Sequence, residues 1–169
     1  MVVYAPLPVS RSAVEAMNRA QVSRRLLQVA AGISCVQALV GGGLYLWRGV
    51  AGLSLFTPSP LPVAPGDPTW AVVDYMFRAL AGIWFALGLM LAWVIPSIER
   101  HSAWFALICV AIFGMGVGRL LSLASFTPAP GNSLGAMVAE LVLPAILVLW
   151  QRRVAGSYAA QTASPHRGT

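Results

Sequence analysis

The sequence predicts an all-α polytopic membrane protein, a four-transmembrane-helix bundle arranged as two helical hairpins in parallel repeat. Three observations lead there. The 169 residues are 58% hydrophobic and 9% charged, with a mean hydropathy of +0.75, whereas soluble domains carry about 25% charged residues. Four long apolar segments follow one another, at about 26–47, 70–95, 103–125 and 134–150. All eleven basic residues are arginine, and eight of them gather beside one set of segment ends.

Taken in order, residues 1–25 form a polar arm with Ser12-Ala-Val-Glu15, a capping-box pattern that starts helices. The arm is either a short helix with arginines laid against anionic headgroups or a tail that turns helical on entering span one. The first apolar stretch begins at Leu26 and no small-x-small cleavage site follows it. It is therefore expected to stay as an anchor rather than be cut as a signal peptide. The first three spans exceed the ~20 residues that cross ~30 Å of hydrocarbon, and the fourth sits at the short end of that range. Over such lengths helices satisfy their own backbone groups in lipid, so an all-α bundle follows. The transmembrane domain takes in residues 26–153, and residues 154–169 form a polar tail.

Arginine placement sets the expected orientation. Arg11, Arg19, Arg24 and Arg25 precede span one, Arg100 lies between spans two and three, and Arg152, Arg153 and Arg167 follow span four. The other side holds Arg48, balanced by Asp67. The positive-inside rule then places both termini in the cytoplasm. Trp47, Trp70, Trp93, Trp104 and Trp150 fall at span ends, where aromatic belts form. Richness in Ala, Gly, Pro and Arg without lysine points to a high-GC bacterial genome, hence a bacterial inner membrane. The net charge of +6 would suit nucleic acid, but no basic stripe with interleaved aromatics occurs, which excludes it.

Phe56-Thr-Pro-Ser-Pro60 recurs as Phe126-Thr-Pro-Ala-Pro130, each after a glycine-rich helix end and before a returning span. This is read as an internal duplication of one hairpin. The competing reading is two similar helix exits, since proline stops helices and disfavours helical geometry in the residue before it.

Four ionisable residues lie inside spans: Asp74, Arg78, Arg119 and Glu140. A rise of ~1.5 Å per residue puts Asp74 ~6 Å, Arg78 ~12 Å, Arg119 ~9 Å and Glu140 ~9 Å from the outer interface. An isolated charge in hydrocarbon costs at least ~2.5–3.5 kcal/mol, so these groups are expected to face inward and pair. Asp74 and Arg78 stand at i,i+4, and Arg119 and Glu140 are expected to meet across spans three and four. Gly114-x-x-x-Gly118 is expected to let another helix approach there. The cluster is either a structural lock or a ligand pocket.

Cys35 and Cys109 lie in apolar stretches and read as core or lipid-facing thiols. His101 and His166 have no partner at metal-ligand spacing, so no metal site and no haem or other cofactor is expected. No phosphate-binding loop, nucleophile elbow or CxxC occurs, so no catalytic residue is assigned and the reading leans away from an enzyme.

Three stretches carry a resemblance: Asp74-Tyr-Met-Phe-Arg78-Ala-Leu-Ala-Gly82 with Gly88, Gly116-Val-Gly118-Arg119-Leu-Leu-Ser122, and Glu140-Leu-Val-Leu-Pro144. Over about residues 26–153 the chain resembles a family of small bacterial four-helix membrane proteins known as a domain of unknown function. The resemblance implies the fold and supplies no activity.

Two functional expectations follow. The first is a non-enzymatic accessory or scaffold subunit that packs in the bilayer against a membrane-protein partner or further copies of itself. The second is a lipid-, quinone- or small-metabolite-binding protein, a transporter or membrane enzyme, whose pocket is Asp74, Arg78, Arg119 and Glu140.

Overall fold

A computed structural model describes residues 11–55, 66–125 and 133–163 of the chain. Both Phe-Thr-Pro-x-Pro strings lie outside the described residues. Four helices make the fold: α1 (Arg11–Arg48), α2 (Pro68–Val94), α3 (Ser102–Ser125) and α4 (Ser133–Ala163). All four are long and apolar enough to cross a membrane.

The polar arm from Arg11 onward is continuous with span one. Helix α1 has 38 residues, about 57 Å at 1.5 Å per residue, well beyond the ~30 Å of hydrocarbon. Helix α4 likewise continues past Trp150 to Ala163. Two helices therefore project from the same end of the bundle, here termed the terminal end. The opposite end, where α1 turns into α2 and α3 into α4, is the loop end.

Helix α1 packs along α2 and α3 along α4, while α1–α4 and α2–α3 contacts complete a square. Among the described residues the diagonal pairs stay apart. Lipid-facing stripes recur at helical spacing, such as Val29, Ile33, Val36 and Val40 on α1 and Val72, Met76, Leu80 and Ile83 on α2, all exposed on the chain.

The buried core sits toward the terminal end: Leu27, Ala31 and Cys35 of α1 meet Leu91 and Val94 of α2, Ile98 of the connection, Phe105, Ile108 and Cys109 of α3, and Val154 of α4. The two cysteines are free thiols within it. Polar groups latch the same end. Arg24 grips Glu99 through Nε and Nη2, each at 3.0 Å, and Nη2 also donates to the Pro96 carbonyl. Gln28 donates to the Ile95 carbonyl at 2.9 Å. Gln151, 1% exposed, donates to the Ile98 carbonyl at 2.9 Å and to Ser102 Oγ at 2.7 Å. The Trp150 indole donates to Ser23 at 2.9 Å. Burial pushes the Glu99 carboxyl up, but the Arg24 hydrogen bonds and charge outweigh it and hold the group below the usual glutamate range.

Close backbone approach holds each hairpin. A Cβ at Gly42 would lie 2.7 Å from Phe85 N and 2.9 Å from Phe85 Cα, and one at Gly88 would lie 2.9 Å from Leu39 Cγ and 3.0 Å from Leu39 N. Without a hydrophobic drive between helices in lipid, such small-residue contacts and the packing they permit supply the association. In the second hairpin the close approach falls at Gly116, where a Cβ would meet Leu141 Cγ at 3.0 Å and Glu140 Cβ at 3.1 Å. Gly114 and Gly118, expected to serve this purpose, have nothing within 4 Å of such a Cβ. Positions 114 and 118 are each two residues from 116, about 200° around the helix at 3.6 residues per turn, so both point away from the α4 side.

Gly42→Ala should therefore lower stability by about 1–3 kcal/mol through overpacking. Gly114→Ala should be neutral or slightly stabilising, because alanine favours helix. Thermal unfolding in one mild detergent compares the two; equal effects would show that α1 and α2 do not meet at Gly42.

Candidate functional site

The four charged residues inside the spans form two pairs with different surroundings. In the first hairpin, Arg78 Nε lies 2.7 Å from Asp74 Oδ2, one turn back on α2. The pair also closes the end of α1. Arg78 Nη1 donates to the Leu46 and Trp47 carbonyls, each at 2.8 Å, among the last four that a helix leaves without donors. A cation there also complements the helix dipole. Asp74 Oδ1 accepts from Val50 N at 2.8 Å, in the 3₁₀ segment Gly49–Leu55 that follows α1.

Gly49 makes this closure possible. Its φ of +61° is left-handed, the usual state of the residue just past a helix end. A side chain there would run into the Asp74 carboxylate. The chain re-enters at Asp67, whose carboxylate caps α2 by accepting from Thr69 N at 2.7 Å, with Pro68 in the first turn. That backbone hydrogen bond holds the Asp67 carboxyl below its usual range.

The second pair is built differently. Arg119 Nε of α3 lies 2.8 Å from Glu140 Oε2 of α4, yet off the N–H direction, so this oxygen has no hydrogen bond although it is buried. The Glu140 side chain is 13% exposed and that of Arg119 39%. No ion pair joins the two pairs among the described residues.

Glu140 lines a cavity of about 110 Å³ in the middle of the helix square. All four helices contribute walls: Ala31 to Ala38 of α1, Trp84 to Leu91 of α2, Phe105 to Met115 of α3 and Ala136 to Leu147 of α4. Most of the lining is apolar. The polar exceptions are Glu140, Gln37 and Ser34, and Ser34 already donates to the Ala30 carbonyl at 3.4 Å. Gln37 is exposed within the chain and makes no hydrogen bond among the described residues. Pro144 lines the same cavity from inside α4. Proline has no N–H, so the Glu140 carbonyl one turn back loses its usual donor.

Asp74 and Arg78 are thus drawn into closing a helix, while Glu140, paired with Arg119, lines a cavity. Gln37, Trp84 and Pro144 are also in its wall; Pro144 closes one of the stretches quoted for the resemblance, while Gln37 and Trp84 were not singled out by the sequence pattern. A glutamine in the middle of an apolar span was the available signal for Gln37.

A family model described as a domain of unknown function, DUF4345, matches residues 26–151. The match opens one residue before the core Leu27, closes on the buried Gln151 and takes in the whole cavity. The chain belongs to the DUF4345 family. Neither a curated protein nor a solved structure matches it. In DUF4345 terms, the helical extensions before Leu26 and after Gln151 lie outside the family region, while both charge pairs lie within it.

The two pairs should respond differently to mutation. Arg78→Leu strands Asp74 and two carbonyls and should cost about 3 kcal/mol. Arg119→Leu strands Glu140 alone, without the carbonyls, and should cost about 2.5 kcal/mol, and the Arg119/Glu140 double-mutant cycle should give a coupling of about 1–2 kcal/mol. Unfolding of the single and double variants in detergent measures this; a stronger Arg119/Glu140 coupling would make that pair the main lock.

Proposed function

We propose that this DUF4345 protein is a non-enzymatic membrane protein that holds a lipid-soluble molecule between its two hairpins. The observation that carries the reading is the cavity shared by all four helices, largely apolar, with Gln37 and Glu140 among its lining residues. A purely structural bundle gains by closing such a space or by filling its walls with apolar groups, because unpaired polar groups are costly away from water. Ligand sites have the opposite make-up, largely apolar with a few convergent polar groups.

A second reading, as an accessory subunit, is favoured by the helical extensions. Arg11, Arg19 and Arg25 of α1 and Arg152 and Arg153 of α4 are all exposed at the terminal end. The positive-inside rule supports a cytoplasmic face for that end, in a bacterial inner membrane. A partner docked there leaves the cavity free, so the two readings are compatible.

The test is lipid-soluble material bound to the purified full-length chain. In native-membrane nanodiscs the wild type should enrich one compound class, identified by mass spectrometry of an organic extract. Ala139→Phe, which fills the cavity from α4, should reduce that class about tenfold while keeping the thermal transition. Ala139→Leu serves where the larger ring destabilises the fold. No enrichment, or equal enrichment in the filled variants, would overturn the reading.

A further inference from the structure

Gln37 stands eleven residues after Leu26 and ten before Trp47, about 16 and 15 Å along α1, in the middle of the hydrocarbon. Its side chain is exposed on the chain and makes no hydrogen bond among the described residues. It shares a helix face with Ile33, four residues before, and Val40, three after. Both of these are exposed to lipid. An amide on such a face has no water to satisfy it, so it needs an acceptor and a donor from another protein surface.

The face around it is patterned. Val22, Leu26, Val29, Ile33, Val36 and Val40 follow one another at spacings of 4, 3, 4, 3 and 4, and each is more than half exposed on the chain. Five of the six are β-branched or lie where a knob fits a hole, and none is charged, so two such stripes in register meet without like charges opposed. Val22 precedes Arg24 and Arg25, on the water side of the span start. Lipid tails do not account for an exposed apolar residue there.

The heptad register gives Gln37 its acceptor. With Leu26, Ile33 and Val40 at a and Val22, Val29 and Val36 at d, Gln37 takes an e position and Gly32 a g position, the two flanks of the seam. Gly32 and Gln37 are five residues apart, the offset of a g–e′ pair in a parallel coiled coil. A Cβ at Gly32 would have nothing within 4 Å, so that flank is open on the single chain. The missing side chain lets a neighbour come close, and a main-chain carbonyl keeps a second lone pair after its helical hydrogen bond.

We infer that the exposed face of α1 binds a second copy of this chain, parallel and two-fold related, with the Gln37 amide of each copy laid on the Gly32 turn of the other. The partner is a second copy because the same arginine distribution gives both chains one orientation. Every seam residue then meets its own kind at its own depth, and the Gln37–Gly32 contact forms twice, as an isologous interface requires. The pairing goes beyond the ligand-binding reading and does not depend on what the cavity holds.

The test is energy transfer between full-length chains labelled at the N-terminus with donor or acceptor, in phosphatidylcholine vesicles of decreasing protein-to-lipid ratio. The wild type should show transfer well above that of randomly placed chains. Gln37→Leu and Gly32→Leu should each raise the half-transfer mole fraction about tenfold, equivalent to about 1.4 kcal/mol, while keeping the thermal transition of the single chain. Gln37→Leu carries the test alone should Gly32→Leu fold poorly, since Gln37 makes no hydrogen bond within the described residues. In oxidised membranes Ile33→Cys should form a disulfide-linked dimer, and Leu80→Cys, exposed on α2, should not. Transfer at the random level, equal transfer in wild type and Gln37→Leu, or linkage at Leu80→Cys as strong as at Ile33→Cys would overturn the inference.

Discussion

An ionised or polar group inside hydrocarbon must find a partner, and the architecture of this chain follows from how its few such groups do so. Arg78 and Asp74 decide where α1 ends. By taking the Leu46 and Trp47 carbonyls and the Val50 N–H, the pair satisfies a helix terminus within the first hairpin. Gly49 supplies the left-handed residue that turns the chain toward them. With that end fixed, the register of α1 against α2 is set, and Gly42 and Gly88 fall where the backbones come closest. A shift of one residue would break the capping contacts and the glycine contacts together.

The second hairpin obeys the same constraint with less closure. Arg119 neutralises Glu140 without an aligned hydrogen bond, and Pro144 withdraws a donor from the Glu140 backbone. The two hairpins are tied at the terminal end, where Arg24, Gln28, Trp150 and Gln151 bridge α1, the α2–α3 connection and α4. The helix square stays open at its centre, where Glu140 and Pro144 of α4 are among the lining residues.

The fold was legible in the sequence because hydropathy and arginine placement act along one dimension, the membrane normal. They locate spans and depths, and Asp74 and Arg78 announce their contact through i,i+4 spacing. Rotation about each helix axis is not encoded so directly. Gly114 and Gly118 draw attention by their spacing, yet Gly116 faces α4, and only the packed partner distinguishes them. The terminal latch was hidden for a related reason. Arg24 reads as one of several basic residues beside a span, and its bond to Glu99, 75 positions away, has no local signature. The charge pairs are also not copies of one another. At the 70-residue offset between Phe56 and Phe126, Asp74 falls on Pro144 and Gly49 falls on Arg119. Each hairpin therefore places its charges independently, whatever the origin of the repeated string.

The central claim is that the middle of the helix square is a binding site. An experimental density map of the full-length chain in lipid nanodiscs, obtained with a rigid antibody fragment to add mass, tests it most directly. The account predicts a bound, non-protein feature in the space lined by Gln37, Trp84, Ala139 and Leu147. A collapsed interior, with no such feature between the hairpins, would contradict it.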